Sequence, residues 1–564
     1  MGFKEVCKEI LEELKKRDIT DQHKFNRLKL EVLQRHKLYE IPTNVDIASV
    51  ASDRDREKYK KLLTIKPVRE SSGVSVIAIM TKPIKCPHGK CIYCPGGPGS
   101  VFGDMPQSYT GKEPATRRAI RNNYDPYLQV SNRLEQYMAM NKTPDKIELI
   151  IMGGTFPNFP KHYQDNFIKY SFSSMNDLSK LFFKNNKFNS KKFIDFFELP
   201  GDIEDPNRTK KIHNKLLKLK KKVDLGKEHL KNEKAKLRCI AMCIETKPDC
   251  CKKPHINNML RLGATRVELG VQTVYDEILK KVNRGHNIQD TIEATQLMKD
   301  SFLKVGYHMM PGLPGVTKKM DEESLKEIII NPNFKPDALK IYPTMVMRGT
   351  GLHGLWKSGK YTPMKTEQAA EMISEFKRIV PEYMRIMRVQ RDIPTFMTED
   401  GVDRTNLRQY IDKKTIQKGI KCRCIRCREP RDKKIDMRNV KINVKEYEAS
   451  KGKEIFISAD DEKNDLLLGF CRLRIPYKPF RKEITKKSAG IRELHVYGES
   501  VEIGKKGKSI QHRGLGKKLM RKAELIAKKD YGINKMLVIS GIGARDYYRK
   551  LGYKKEKVYM VKRI

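Results

Sequence analysis

Three thiols fall within one short loop, Lys85-Cys86-Pro87-His88-Gly89-Lys90-Cys91-Ile92-Tyr93-Cys94-Pro95-Gly96-Gly97. Thiolates are soft ligands that suit zinc or an iron–sulfur cluster. A cubane cluster normally takes four cysteines, and no fourth cysteine stands near Cys86, Cys91 and Cys94. One iron would then stay open to the amino and carboxylate groups of S-adenosylmethionine (SAM). Reductive cleavage of that sulfonium yields a 5′-deoxyadenosyl radical, chemistry that the cofactor supplies and the protein orients. The same spacing also fits half of a zinc knuckle with its fourth ligand elsewhere, His88 being one candidate, and spacing alone leaves the two readings even. Position separates them. The loop follows an apolar strand-like run at 74–80, and the next such run, 147–152, ends in Gly153-Gly154-Thr155. A thiol loop at a strand end in a βα-repeating chain favours SAM.

Two further groups carry chemistry. Cys422, Cys424 and Cys427 have C-x-C-x2-C spacing and read as a structural zinc site whose fourth ligand is not placed. Near the C-terminus, Gln511-His512-Arg513-Gly514-Leu515-Gly516 opens a helix. Glycines there let the backbone close on a pyrophosphate, and helix N-terminal amides stabilise its charge. This is the pattern of the phosphate loop of GNAT acetyltransferases. A lone G-x-G is weak evidence, but here it lies between strand-like runs and precedes Tyr547-Tyr548 and Leu551-Gly552-Tyr553.

The elements that must position these groups follow from the apolar pattern. A chain of 564 residues exceeds one core, so two principal domains are expected. Residues 1–70 read as basic amphipathic helices: the first carries Phe3, Val6, Cys7, Ile10, Leu11 and Leu14 among alternating Lys and Glu, and the second starts at Phe25. Residues 71–391 alternate short β-rich runs with helical segments, and six strands (74–80, 147–152, 239–244, 266–271, 303–309 and 338–341) make a partial parallel barrel. The third run is followed by Glu245-Thr246, the fourth by Gln272-Thr273, and the fifth carries His308 ahead of Pro311-Gly312. Loops at strand C-termini build the active site of such barrels, so five segments converge on one mouth. Residues 171–236 interrupt the rhythm as a helical insertion. A connector at 392–436 holds the second cysteine trio, and 437–564 form an α+β unit.

Composition adds a partner. Lys plus Arg total 116 against 69 Asp plus Glu, a formal charge of +47, which favours a polyanion. A heat-adapted surface rich in Lys and Glu would be nearer balance. No apolar run is long enough to cross a bilayer, and an N-terminal amphipathic helix is not a signal peptide, so no membrane association and a cytoplasmic location are expected. With eight of its 12 cysteines in two tight groups and a Cys250-Cys251 pair, a cytosolic chain points to metal binding rather than disulfides.

Residues 66–100 (KPVRESSGVSVIAIMTKPIKCPHGKCIYCPGGPGS) resemble the radical SAM domain of the Elongator catalytic-subunit family. MGGTF at 152–156, IETKPD at 244–249, ELGVQT at 268–273, NRGH at 283–286, HMMPGLPG at 308–315, RGTGLHGLWKSGKY at 348–361 and RVQRDIP at 388–394 resemble it in order. The likeness continues through RELHVYG, QHRGLG and SGIGARDYYRKLGY and covers nearly all of 60–564. It implies an α/β fold class, a partial (β/α)6 radical SAM barrel fused to a C-terminal α+β GNAT domain. It implies a [4Fe–4S] cluster on Cys86, Cys91 and Cys94, and SAM against Gly153, Gly154, Thr155 and Glu245. It places acetyl-CoA on Glu493, Leu494, His495 and Val496, then on Gly514, Leu515 and Gly516, then on Tyr547, and also against Lys146. Lys146 and Tyr547 are its catalytic candidates. The implied reaction is a tRNA wobble-uridine modification in the anticodon loop: the radical takes hydrogen from the methyl of acetyl-CoA, the carbon adds to C5 of uridine, and thioester hydrolysis leaves 5-carboxymethyluridine. An unstacked anticodon base suits such chemistry, and an electron donor must reduce the cluster. The chain would act alone, as a homodimer or within a multi-subunit Elongator.

Two other readings make different predictions. A protein lysine acetyltransferase would act without SAM, and the cationic surface argues against a Lys-rich substrate. A tRNA-binding scaffold with decayed sites conflicts with the intact cluster cysteines and glycines.

Overall fold

The computed structural model describes residues 3–36, 41–63, 73–202, 204–431, 433, 435–498 and 514–564. The chain divides into two compact units, one of residues 1–77, 125–147 and 168–238 and one of 78–124, 148–167 and 239–564. This division cuts across the linear segments read from sequence.

The first unit is helical. Phe3–Lys16 is amphipathic, and the residues that marked it in the sequence, Val6, Cys7, Ile10, Leu11 and Leu14, are buried. Gln22–Arg35 is started by Asp21, whose carboxylate accepts from the His23 and Lys24 amides, satisfying donors that a helix start leaves unpaired. Its Phe25, Leu28, Val32 and Leu33 pack with Ile10 and Leu14 in one apolar cluster. The insertion is helical as expected, with Ser190–Phe197, Pro206–Leu219 and Leu225–Lys234. It adds a two-strand hairpin, Phe183–Lys184 with Lys187–Phe188, held by edge-to-face rings such as Phe182–Phe193 at 5.4 Å.

The second unit contains the mixed sheet and most of the parallel one. The parallel one runs in chain order: β1 (Ser75–Met80), β2 (Lys146–Met152), β3 (Arg238–Thr246), β4 (Arg266–Gln272), β5 (Lys304–Met309), β6 (Ala338–Ile341) and β7 (Arg385–Arg388). The six expected strands are all present, and β7 is a seventh beyond them. β4 and β6 are buried along almost their whole length, as strands covered on both faces are. Two interior positions are glycines: a Cβ on Gly270 would meet the Arg284 guanidinium at 2.3 Å, and one on Gly306 would meet the Glu268 side chain at 3.0 Å. Those gaps let charged chains lie inside the barrel.

The mixed sheet orders β8 (Val440–Ala449), β9 (Gly452–Asp461), β10 (Leu466–Ile475), β11 (Ser488–Val496), β12 (Lys535–Val538), β14 (Tyr559–Arg563) and β13 (Lys554–Glu556). Helix Leu515–Tyr531 lays Leu519, Met520, Ala523 and Ala527 on its core. β11 pairs with β12 only from Ser488↔Lys535 to Ile491↔Val538. β12 ends there, at Val538, whereas β11 continues to Val496. The register slips between Arg472 and Leu473, and this bulge turns Arg492 out of the regular alternation.

Arg492 thereby joins a sealed charge cluster. It meets Asp337 at 2.6 Å and Glu454 at 2.9 Å, and Arg474 meets Asp300 at 2.6 Å, with every one of these side chains at most 1% exposed. Lys304, the first residue of β5, meets Glu493, which also holds Arg472 at 2.9 Å. Paired charges this deep contribute little net stability, but removing one partner costs about 3–5 kcal/mol. The cluster thus fixes how the two sheets of this unit meet.

Candidate active site

The cysteine loop sits beyond the C-terminal end of β1, where neighbouring strand ends surround it. The Cys86 amide donates to the Gln107 side chain at 2.7 Å, and Gln107 donates in turn to the Gly89 carbonyl. The Ile92 amide is tied to the Val282 carbonyl and the Asn283 side chain to the Lys90 carbonyl. The sulfurs have partners of their own: Ser108 N–H donates to Cys94 Sγ at 3.2 Å, Arg284 reaches Cys91 Sγ at 3.8 Å, and Thr155 Oγ1 lies 3.4 Å from Cys86 Sγ. Burial pushes the Cys86 and Cys94 thiols up, and cations oppose it, Arg284 and Lys247 at Cys86 and Arg391 and Lys90 at Cys94. His88 lies 3.3 Å from Cys91 Sγ, and Lys247 lies 2.9 Å from its other ring nitrogen. Burial, then Lys247 and Arg284, hold His88 down to about 4. A set of thiolates framed by cations and a backbone donor fits an anionic cluster.

The Gly153-Gly154-Thr155 turn closes over the loop. Gly153 and Gly154 have φ of 108° and 80°, a region that favours glycine. A Cβ on Gly153 would meet Thr81 Oγ1 at 2.5 Å, and one on Gly154 would come within 3.9 Å of Cys86 Sγ. The turn therefore presents bare backbone beside the thiols, the surface a small charged ligand would need. Lys146 begins the same strand, at the opposite end from this turn. It is half-buried, and burial lowers its pKa.

Inside the mouth lies a polar group that sequence reading only partly anticipated. Glu245 and Glu268 are register partners on β3 and β4, and His308 and Lys340 are partners on β5 and β6. Lys340 Nζ is 2.7 Å from Glu245 Oε1 and also contacts Glu268, and His308 Nε2 is 2.9 Å from Glu268 Oε2. Tyr109 donates to Glu245 at 3.5 Å. Glu245 thus spends one oxygen on Lys340. Arg284, Lys247, Glu268 and Lys340 are additions to the residues expected from sequence. For Glu268 and Lys340 the signal was a charge within an apolar strand run, as in Ala-Leu-Lys340-Ile; Lys247 and Arg284 lie in loops.

In the mixed sheet the structure brings several expected residues together. A Cβ on Gly516 would meet the Tyr547 hydroxyl at 2.7 Å and Val496 at 3.7 Å, so Val496, Gly516 and Tyr547 share one spot, at the C-terminal end of β11. Burial raises Tyr547 to about 12. Gly514, with φ 81°, starts the helix whose first residue is Leu515. Leu494 is half-buried against the core. His495 stacks against Phe470, meets Tyr497 at a tilt and is pushed down to about 4 by burial. The Glu493 carboxylate is engaged by Lys304 and Arg472. Gln511, His512 and Arg513 lie outside the described residues.

The second cysteine trio is more compact. The sulfurs of Cys422, Cys424 and Cys427 lie within 4.8 Å of one another, and a tetrahedral zinc with Zn–S of about 2.3 Å would set its sulfurs roughly 3.8 Å apart. Hydrogen bonds from the Cys422 and Cys427 thiols lower the pKa of Cys424. No helix among the described residues is long and apolar enough to cross a membrane.

Comparison with known proteins matches this architecture along the chain. The ELP3 N-terminal domain matches residues 3–71, the radical SAM superfamily 201–328, the radical SAM C-terminal domain 336–417 and the acetyltransferase (GNAT) family 425–553. A tRNA uridine(34) acetyltransferase of Methanocaldococcus jannaschii is 47% identical over 99% of this chain and 97% of its own. Elongator complex protein 3 of Homo sapiens is 38% identical over 95% of this chain and 92% of its own. The solved structure of the archaeal Methanocaldococcus infernus Elp3 with an N-terminal deletion (1–46) has a TM-score of 0.71 and 44% identity, covering 87% of this chain and all of that one.

Proposed function

The chain belongs to the Elongator complex protein 3 family, and on that premise we propose that it is a tRNA uridine(34) acetyltransferase which builds 5-carboxymethyluridine from acetyl-CoA. The single observation that carries the reading is the presence, in one compact unit, of a cation-framed thiol trio at the parallel strand ends and of Val496, Gly516 and Tyr547 gathered at the start of a glycine-led helix. A [4Fe–4S] cluster on Cys86, Cys91 and Cys94, with SAM, supplies a 5′-deoxyadenosyl radical when reduced by an electron donor.

The chain's own residues do the rest. Arg284 and Lys247 offset the charge of the thiolates, and Ser108 N–H and Thr155 fix two of the sulfurs. The backbone of Gly153 and Gly154, with Thr155, receives SAM, and Glu245 lines the same mouth. Acetyl-CoA would be held by Glu493, Leu494, His495 and Val496 at the end of β11, and the amides of Gly514, Leu515 and Gly516 suit its pyrophosphate. Tyr547 stands where Gly516 leaves room for its hydroxyl, and Lys146 is the remaining acetyl-CoA contact. A zinc ion on Cys422, Cys424 and Cys427 staples the segment that follows the barrel. The functional segments are a basic N-terminal region (1–70), a radical SAM domain (71–391), a connector (392–436) and an acetyl-CoA-binding domain (437–564). The +47 charge holds the tRNA backbone.

The test is anaerobic reconstitution with iron, sulfide, SAM, reductant, tRNA and methyl-deuterated acetyl-CoA. Deuterium is expected in 5′-deoxyadenosine and 5-carboxymethyluridine in the digested tRNA. Acetylation of protein lysines without SAM, and no modified uridine, would replace this reading with a protein acetyltransferase.

A further inference from the structure

We propose that His308, oriented by Glu268, is the general base that hydrolyses the thioester after acetyl-CoA has been joined to uridine. The proposal rests on the function given above, and it assigns a step that neither the cluster loop nor the acetyl-CoA strand accounts for.

Joining the methyl carbon of acetyl-CoA to C5 leaves a C5–CH2–C(=O)–S linkage. The thioester carbonyl is then one bond from the carbon that reacted at the barrel mouth, so water must be activated at that mouth. The mouth holds one oriented histidine on the strand ends. His308 Nε2 lies 2.9 Å from Glu268 Oε2. A carboxylate can only accept, so Nε2 carries the proton and Nδ1 keeps a lone pair. This is the arrangement in which a buried carboxylate fixes the tautomer of a histidine base.

The carboxylate is itself held. Glu268 is 1% exposed, whereas His308 keeps 15% of its side-chain surface, so the acid is sealed and the base can meet water. Gly306 leaves the space that the Glu268 side chain fills. Glu245, Glu268 and His308 offer ligand atoms within 4.8 Å of one another, a spacing that suits a cation, and the Lys340 ammonium supplies that cation by bridging both carboxylates. Burial works against the charge of Lys340, and Glu245 and Glu268 outweigh it. Burial, then Lys340, lower His308, while Glu268 and Glu245 oppose the fall, and the Tyr342 ring meets its edge at 5.5 Å. The histidine is therefore neutral and able to accept at neutral pH.

The step balances without an oxidant. Water gives a proton to His308 Nδ1 as its oxygen bonds to the carbonyl carbon. The C–S bond breaks, its electron pair leaves with the CoA sulfur, and the imidazolium returns the proton to that sulfur. The products are free CoA and a carboxylic acid on the nucleoside, which gives its proton to solvent to become the carboxylate.

The experiment compares reconstituted wild type with His308→Gln and His308→Ala by nucleoside mass spectrometry and 5′-deoxyadenosine release. For His308→Gln, 5′-deoxyadenosine within about threefold of wild type is expected, 5-carboxymethyluridine down by on the order of a hundredfold, and uridine still carrying the CoA thioester on intact tRNA. Added imidazole should restore product to His308→Ala. Glu268→Gln should move the acid limb of product release to lower pH, because the carboxylate stabilises the imidazolium. Wild-type carboxymethyluridine from His308→Gln would overturn the proposal. So would loss of 5′-deoxyadenosine in both variants without imidazole rescue, which would mark His308 as structural. A wild type that makes no carboxymethyluridine would instead sink the function itself.

Discussion

The two ends of the parallel strands carry similar charges to opposite purposes. At the N-terminal ends, Asp300, Asp337 and Lys304 meet Arg474, Arg492 and Glu493 of the mixed sheet, and Asp337, Glu454 and Arg492 are at most 1% exposed. At the C-terminal ends, Glu245, His308 and Lys340 keep between 8% and 15% of their side-chain surface, and the thiols of the cysteine loop join them. Barrels of this kind place chemistry at the second end and stability at the first. Here the difference lies in pairing: the sealed end has its charges matched and closed, and the open end leaves thiols, an imidazole and bare glycine backbone for a ligand.

Four substitutions would sharpen or break that contrast. The largest effect is expected from Cys91→Ala, which should abolish the brown absorbance of the reconstituted cluster and all SAM cleavage while leaving the thermal unfolding midpoint almost unchanged. A large loss of stability instead would mean that the open end is structural too. Next, Arg492→Met leaves Asp337 and Glu454 short of a cation and should lower unfolding free energy by about 3–5 kcal/mol, read by urea denaturation. Gly153→Ala should come third. Its Cβ would sit 2.5 Å from Thr81 Oγ1 at φ 108°, so weaker SAM binding by equilibrium dialysis is expected with about 1–3 kcal/mol of strain. Retained SAM affinity would remove that turn from the site.

The smallest effect concerns the one cation in the sealed end that makes no hydrogen bond. Lys299 lies 3.9 Å from Asp337 and 3.6 Å from Glu454, its Nζ unpartnered, and burial lowers it to about 8. Its folded pKa lies below the roughly 10.4 of an unfolded lysine. Below pH 8 both states hold the proton and the fold bears the full penalty, and between 8 and 10.4 the penalty shrinks. Lys299→Met should therefore stabilise by roughly 1–3 kcal/mol at pH 7, with the gain fading by pH 10. Destabilisation at pH 7 would show that the ammonium is a needed partner.

Much of this was legible in the residues. The six strand runs, the two thiol trios and the Gly-Gly-Thr turn follow from local pattern, because apolar period and soft ligands announce themselves within a few residues. β7 did not, since Arg385-Ile386-Met387-Arg388 is short and flanked by charge. The roles of Arg284, Glu268 and Lys340 did not either: they depend on register between strands tens of residues apart, and on Gly270 and Gly306, whose meaning is the space they leave. The engagement of Glu493 by Lys304 is likewise a long-range pairing that no local window contains.

That pairing makes β5 a gauge. Lys304, anchored to the strand proposed to carry acetyl-CoA, and His308 lie four residues apart, about 13 Å of strand, and an even spacing keeps both on one face. The separation between cofactor strand and imidazole is thus written in peptide bonds rather than in loop conformation. One residue inserted at Gly306 would turn His308 to the other face while leaving the length nearly right, so reach and orientation are tied to a single count.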